Sequence, residues 1–204
     1  MRKILTRQET EVVLEPHYSK ITDAISNGFG DYLKVLANLN AEGKRVVFKK
    51  GTIAGMIHDF IKARIKDAFT ENDNVETKEF NRIFGVHIDG KILIRFKKIN
   101  NDFTTSNIQT KQTVDFEKQY EIEGLPGKST FLYAGYLPDA TWTNIKNIYL
   151  LCKKGGNLVW QKDLTGFAEQ TQISFVIPIE EQEETVVSRV KIKTTKKKIT
   201  NTGT

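Results

Sequence analysis

The chain has a single cysteine, Cys152, so no internal disulfide can form and only one thiolate is available to a metal. A small disulfide-stapled scaffold is excluded. No apolar run approaches the roughly 18 residues that cross a bilayer. The opening residues, MRKILTRQETEVVLE, turn polar and acidic before an apolar segment can develop. No signal peptide is expected, and the expected location is the cytoplasm. The stretch GKRVVFKKGT lacks the glycine spacing that lets successive amides cradle phosphates, and no GxGxxG follows a predicted strand. HExxH and GxSxG are also missing. Nucleotide-cofactor, zinc-peptidase and serine acyl-transfer chemistry therefore have no signature here, and no cofactor or metal site is expected. Cys152 itself lies in the apolar run IYLLCKK and is read as a core residue.

What is present describes one globular domain. The 204 residues are 39% hydrophobic and 10% aromatic, with a mean hydropathy of −0.40, enough apolar surface to offset chain entropy. There are 31 basic and 25 acidic residues, but from Ser188 onward six are basic (Arg189, Lys191, Lys193, Lys196, Lys197, Lys198) and none is acidic. The net charge of +6 thus resides in the final segment, and everything before it is neutral overall. That segment follows the acidic run EEQEE at 180–184. It is either a solvated terminus or a nucleic-acid contact. Composition divides the chain into an N-terminal arm (1–14), a single domain (15–179) and an acidic-then-basic tail (180–204).

Ile21, Ile25, Phe29, Leu33 and Leu36 recur at helical spacing over 18–39, a helix expected to be interrupted by Gly28 and Gly30. After NAEGKRVVFKK, Thr52 is placed to cap a second helix carrying Ile53, Ile57, Ile61 and Ile65. ENDNVE reads as a loop. Alternating segments around Asp89-Gly90 predict a hairpin whose second strand buries one face, with Arg95 and Lys97 on a more polar face. A short helix is expected in TVDFEKQYEI, a turn at Pro126-Gly127, and strands at TFLYAGYL, NIKNIYLLCK, NLVWQKDL and QISFVIPI. Without regular βαβ alternation, this order predicts an α+β fold with N-terminal helices packed on a largely antiparallel sheet.

The most suggestive chemistry is in IDGKILIRFKKINNDFTTSNIQTKQ. Arg95, Lys97 and Lys98 leave the strand beside Asn107, Thr110 and Gln112, setting fixed cations next to amide and hydroxyl groups suited to phosphate or base edges. Lys196, Lys197 and Lys198 would extend such a nucleic-acid contact. The duller alternative is a charged solvent face followed by an irregular loop. PD-(D/E)xK nucleases place an acid two residues before the catalytic lysine on a comparable strand, but here that position is Arg95. A ribonuclease using His58 or His87 for acid–base work, with Lys97 and Arg95 stabilising charge, needs no such acid. His58 and Asp59 are neighbours on one helix and diverge by about 100°, so they do not share a pocket without distortion. A hydrogen-bonded helix histidine is the alternative for His58. Tyr133, Tyr136, Trp142 and Trp160 are either core residues or, if exposed, stacking or docking surfaces.

The ordered segments TIAGMIHDFIKARIKDAF, RFKKIN, SNIQTKQTVDFEKQ, LPG, AGYLPDATWTNI and LVWQKDL, spanning about 46–164, resemble an uncharacterised bacterial family. Its members are encoded beside helix-turn-helix proteins fused to an ImmA/IrrE-type metallopeptidase domain. The resemblance implies one half of a toxin–antitoxin or phage-defence pair, controlled by an antitoxin-like protein. It carries no catalytic residues with it. The resulting expectation is a toxin-like effector that acts on or binds nucleic acid, with a non-enzymatic protein-interaction module as the alternative.

Overall fold

The computed structural model describes residues 4–70, 74–105 and 110–168. Helix α1 (Arg7–Leu14) opens with a reciprocal cap: the Thr6 hydroxyl accepts from Glu9 N, and the Glu9 carboxylate accepts from Thr6 N. It delivers Leu14 into the core, and Glu11 pairs with Lys162 at 2.9 Å. The segment expected as an arm is therefore helical from Arg7 and anchored at its far end.

A 3-10 turn (Glu15–His17) leads into α2 (Tyr18–Ala41), which runs without interruption through both glycines. A Cβ on Gly28 would lie 2.7 Å from Ile61 N and 2.8 Å from Ile61 Cα of α3 (Lys50–Ala68). Gly28 is the contact point of the helix pair and not a break in it. Arg64 clamps Asp31 through two hydrogen bonds, of 2.7 and 3.0 Å. Helix α3 starts three residues before the position expected from a cap at Thr52. Its N-cap is Lys49, which offers no side-chain acceptor, so the first-turn amides lack a cap.

Six strands follow in the order β1 (Val75–Phe80), β2 (Ile83–Ile88), β3 (Ile92–Lys98), β4 (Thr130–Pro138), β5 (Ile145–Lys154) and β6 (Asn157–Asp163). Neighbours in sequence are neighbours in the sheet. All pairs are antiparallel except β3 with β4, because the chain between them crosses over by way of α4 (Lys111–Glu117). The fold is thus α+β with its helices ahead of a mostly antiparallel sheet. Strand β1 occupies residues partly read as loop, and its hairpin turns on Asn81 and Arg82, both at positive φ. The strand expected in QISFVIPI lies outside the described residues.

The sheet carries apolar clusters on both faces. Val86, Ile88, Ile92, Ile94, Phe96, Leu132, Ala134, Leu150 and Cys152 pack with α2 and α3. Ile83, Leu93, Phe131, Tyr133 and Leu151 pack with Phe116 of α4 and with Ile122 and Leu125. On β3 one face is core and the other is partly polar, with Leu93 buried beneath the crossover and Arg95 and Lys97 half-buried. Cys152 is fully buried, and burial pushes its thiol up to about 12, which suppresses thiolate chemistry.

Candidate nucleic-acid interface

Arg95 and Lys97 lie two residues apart on β3, on the face that α4 covers further along. Each has one glycine opposite it: Gly85 on β2 is in register with Arg95, which has Tyr133 on its β4 side, and Gly135 on β4 is in register with Lys97. Gly135 is obligatory, because a Cβ there would sit 1.8 Å from Lys97 O. Pairing of β2 with β3 also ends at Gly85–Arg95, although β2 begins at Ile83 and β3 continues to Lys98. The two strands part beside Lys97, which leaves room on the β2 side of that cation.

These charges are poorly neutralised. The Arg95 guanidinium lies 5.8 Å from the Phe116 ring centroid, and its Nη1 is buried without a well-formed hydrogen bond among the described residues, with Tyr133 Oη as its polar neighbour. Tyr133 Oη is likewise buried and without a well-formed hydrogen bond. Burial raises its phenol far above the ordinary value, and the neighbouring Arg95 charge opposes that rise. Lys97 has no described carboxylate within ion-pair distance, and burial followed by the Arg95 charge lowers it to about 8. Lys153, only 6% exposed, stands 3.7 Å from Glu117 and 5.9 Å from the Tyr133 ring. Glu117 also accepts from Thr105 Oγ1 at 3.4 Å. Among the described residues, Glu117 is the carboxylate within ion-pair distance of these three cations, and it reaches only Lys153.

The charges of Lys97 and Arg95 also reach His58 of α3, a helix packed on the opposite face of the sheet. Burial is the largest cause holding its imidazole below the ordinary value, the Lys97 charge is next, and Arg95 and Lys62 add to it against Asp59. His58 is half-buried while Asp59 is exposed, so the two diverge as helix geometry dictates. The remaining expected site residues are committed elsewhere. His87 Nε2 lies 2.7 Å from Ser129 Oγ, joining the β2–β3 turn to the start of β4, and it lines a separate surface hollow of about 700 Å³ with Glu76 and Asp89. Thr110 caps α4 by accepting from Thr113 N at 3.2 Å. Gln112 Nε2 donates to Asn81 O at 2.7 Å, which holds the β1–β2 turn against α4. Lys98 faces the opposite side of the sheet from Lys97. There its ammonium donates to Asn100 Oδ1 at 2.8 Å and lies 5.4 Å from the Trp142 ring. Asn107, Lys196, Lys197 and Lys198 lie outside the described residues.

The aromatic residues considered as docking surfaces are largely interior: Tyr133, Tyr136 and Trp142 are buried. Sequence reasoning missed Lys153 and weighed Tyr133 only as a core or stacking residue; the two meet Glu117 and Arg95 only through the parallel β3–β4 pairing and the β4–β5 hairpin. No group of three or more histidine, cysteine or acidic side chains among the described residues is placed to hold a metal ion. No described helix is long and apolar enough to cross a membrane. In comparisons with known proteins, the chain matches no family model, no curated protein and no solved structure.

Proposed function

We propose that this protein is a toxin-like effector of a bacterial toxin–antitoxin or phage-defence pair, acting on RNA and held in check by an antitoxin-like protein. The observation that carries the RNA reading is the gathering of Arg95 and Lys97 at the parted strands without a paired carboxylate. A buried guanidinium nitrogen without a well-formed hydrogen bond and a half-buried ammonium without a described counter-ion destabilise the free protein, and a bound phosphodiester relieves both. The pairing with a protein partner rests on the family resemblance of residues 46–164.

His58 supplies the acid–base group. Its depressed pKa leaves the imidazole neutral at pH 7, able to take the proton from a ribose 2′-hydroxyl. The 2′-oxygen then bonds to the adjacent phosphorus, the bond from phosphorus to the 5′-oxygen breaks, and the proton returns to that leaving oxygen. A 2′,3′-cyclic phosphate and a 5′-hydroxyl result. Arg95 and Lys97 stabilise the charge that builds on the phosphoryl oxygens.

The deciding experiment is tightly induced expression of the chain alone in a bacterial host, with growth and the integrity of total RNA and DNA followed together. Growth arrest with fragmented RNA is expected, and it should disappear in a folded Arg95→Ala/Lys97→Ala variant. Toxicity unchanged in that variant would sink the assignment of the site. Normal growth with folded wild-type protein would favour the second reading, a non-enzymatic interaction module. One feature supports that alternative: Val46 and Val47 are 47% and 96% exposed in a segment flanked by Lys44, Arg45 and Lys49.

A further inference from the structure

On the other side of the sheet, where β3 ends, a second pocket of about 240 Å³ opens between the start of α3, the Ile99–Asn101 segment and the loop that follows β4. Lys50, Lys98 and Lys146 all line it. None of the three has a carboxylate within ion-pair distance among the described residues. The one acid on its wall, Asp139, is turned into its own loop. It accepts from Thr143 N at 2.9 Å and from the hydroxyls of Thr143 and Thr141 at 3.0 Å each. Those donors outweigh the cost of its burial and hold the carboxyl below its ordinary value. Asp139 is thus saturated before it can neutralise the lysines.

Two further features shape the pocket. Its wall includes Lys50 at the beginning of α3, a 19-residue helix with no side-chain cap and no acid in its first turn, so free amides and the positive end of the helix dipole add to the three cations. Trp142 is held at φ 61, a conformation unfavourable for so bulky a residue, by the hydrogen bonds of the Asp139–Asn144 loop. The Trp142 ring is 7% exposed with the Lys98 ammonium over it, so its face is not open to a stacking base. The pocket offers charge and donors, with no platform for base recognition.

We propose that this pocket is a phosphate-binding subsite, in which Lys50, Lys98 and Lys146 neutralise a phosphate group and the side-chain amide of Asn101 and the first-turn amides of α3 donate to its oxygens. The assignment goes beyond the cleavage reading and does not require it.

The test uses the full chain carrying Trp160→Phe, so that Trp142 is the sole tryptophan and its emission reports on the pocket. Inorganic phosphate, then a single-stranded hexaribonucleotide bearing either a 5′-phosphate or a 5′-hydroxyl, is titrated at low salt. A saturable change in emission is expected. It should weaken at least tenfold in K50Q/K146Q, which alters only exposed side chains, and also in K98M, which keeps an apolar stem over the indole. A tenfold preference for the 5′-phosphate would assign the pocket to strand ends. Equal binding of the two strands would assign it to internal phosphodiesters, and a response to inorganic phosphate alone would assign it to the free ion; each keeps the phosphate site. No saturable response to any probe, or a response intact in K50Q/K146Q and K98M, would overturn it. His58→Ala should leave this titration unchanged while abolishing RNA cleavage, so failure of one proposal is distinguishable from failure of the other.

Discussion

Lys97 is a charge that the fold houses without neutralising. Its value of about 8 lies below that of an unfolded lysine, near 10.5, so between those pH values the unfolded chain holds a proton that the folded chain has released. Stability therefore gains from this residue as pH rises through that window, and the cost of burying its charge is fully present below it. Lys97→Met should raise the melting temperature at pH 7, and the advantage should shrink as pH approaches 10, measured by thermal denaturation across pH. The same substitution should abolish RNA cleavage, a trade expected of a binding residue and not of a structural one. In kcat/KM the acid limb should fall below the ordinary histidine value of 6.5 as His58 gains a proton, and the alkaline limb should fall near 8 as Lys97 loses its charge. A profile flat between pH 5 and 9 would remove both residues from the reaction. Neither perturbation was legible in the chain. RFKK shows the cations, but burial and the missing counter-ion are properties of their surroundings.

Among the elements, the two glycines of α2 separate local propensity from packing. Both weaken an isolated helix equally, and sequence periodicity alone reads them as interruptions. A Cβ on Gly28 would strike the Ile61 backbone, whereas at Gly30 it would meet nothing within 4 Å. Gly28→Ala should cost about 1–3 kcal/mol through overpacking, and Gly30→Ala should add about 0.5–1 kcal/mol, both read by urea denaturation. Destabilisation by both would mean that α2 needs flexibility here. The helices and most strands were legible because their apolar residues recur at the period of the element that buries them. Strand β1 was not. VETKEF is a polar edge strand with little apolar alternation, and its existence depends on pairing with β2. The cap of α1 was written in Thr6 and Glu9 but lies in a short polar segment that composition assigns to an arm.

For the molecule as a whole, nucleic-acid binding should show a salt dependence that counts its phosphate contacts. Arg95→Ala/Lys97→Ala should reduce the slope of log K against log salt by about 0.7 per lost contact on single-stranded RNA, measured by fluorescence anisotropy between low and moderate salt. Replacing Lys196, Lys197 and Lys198 with alanine should weaken binding without sequence preference if the final segment tracks the backbone; unchanged affinity and slope would remove it from the interface. The neutral balance of everything before Ser188 conceals the charge of the folded part, because the acids and bases that cancel in the sum are separated in space. Glu42, Glu76 and Glu79 pair with Lys44, Lys78 and Lys62 at the surface, while Arg95, Lys97, Lys50, Lys98 and Lys146 pair with no described carboxylate. By itself the sequence determined α2, α3 and α4, the periodicity of most strands, the hairpin at Asp89-Gly90, and the core position of Cys152, since each depends on neighbours within a few residues. Tertiary structure alone decided the parallel β3–β4 pairing and the burial of both sheet faces. The physical reason is that the glycine gaps and burial come from residues ten or more positions away, brought together only by the strand pairing, the crossover and the helix pair.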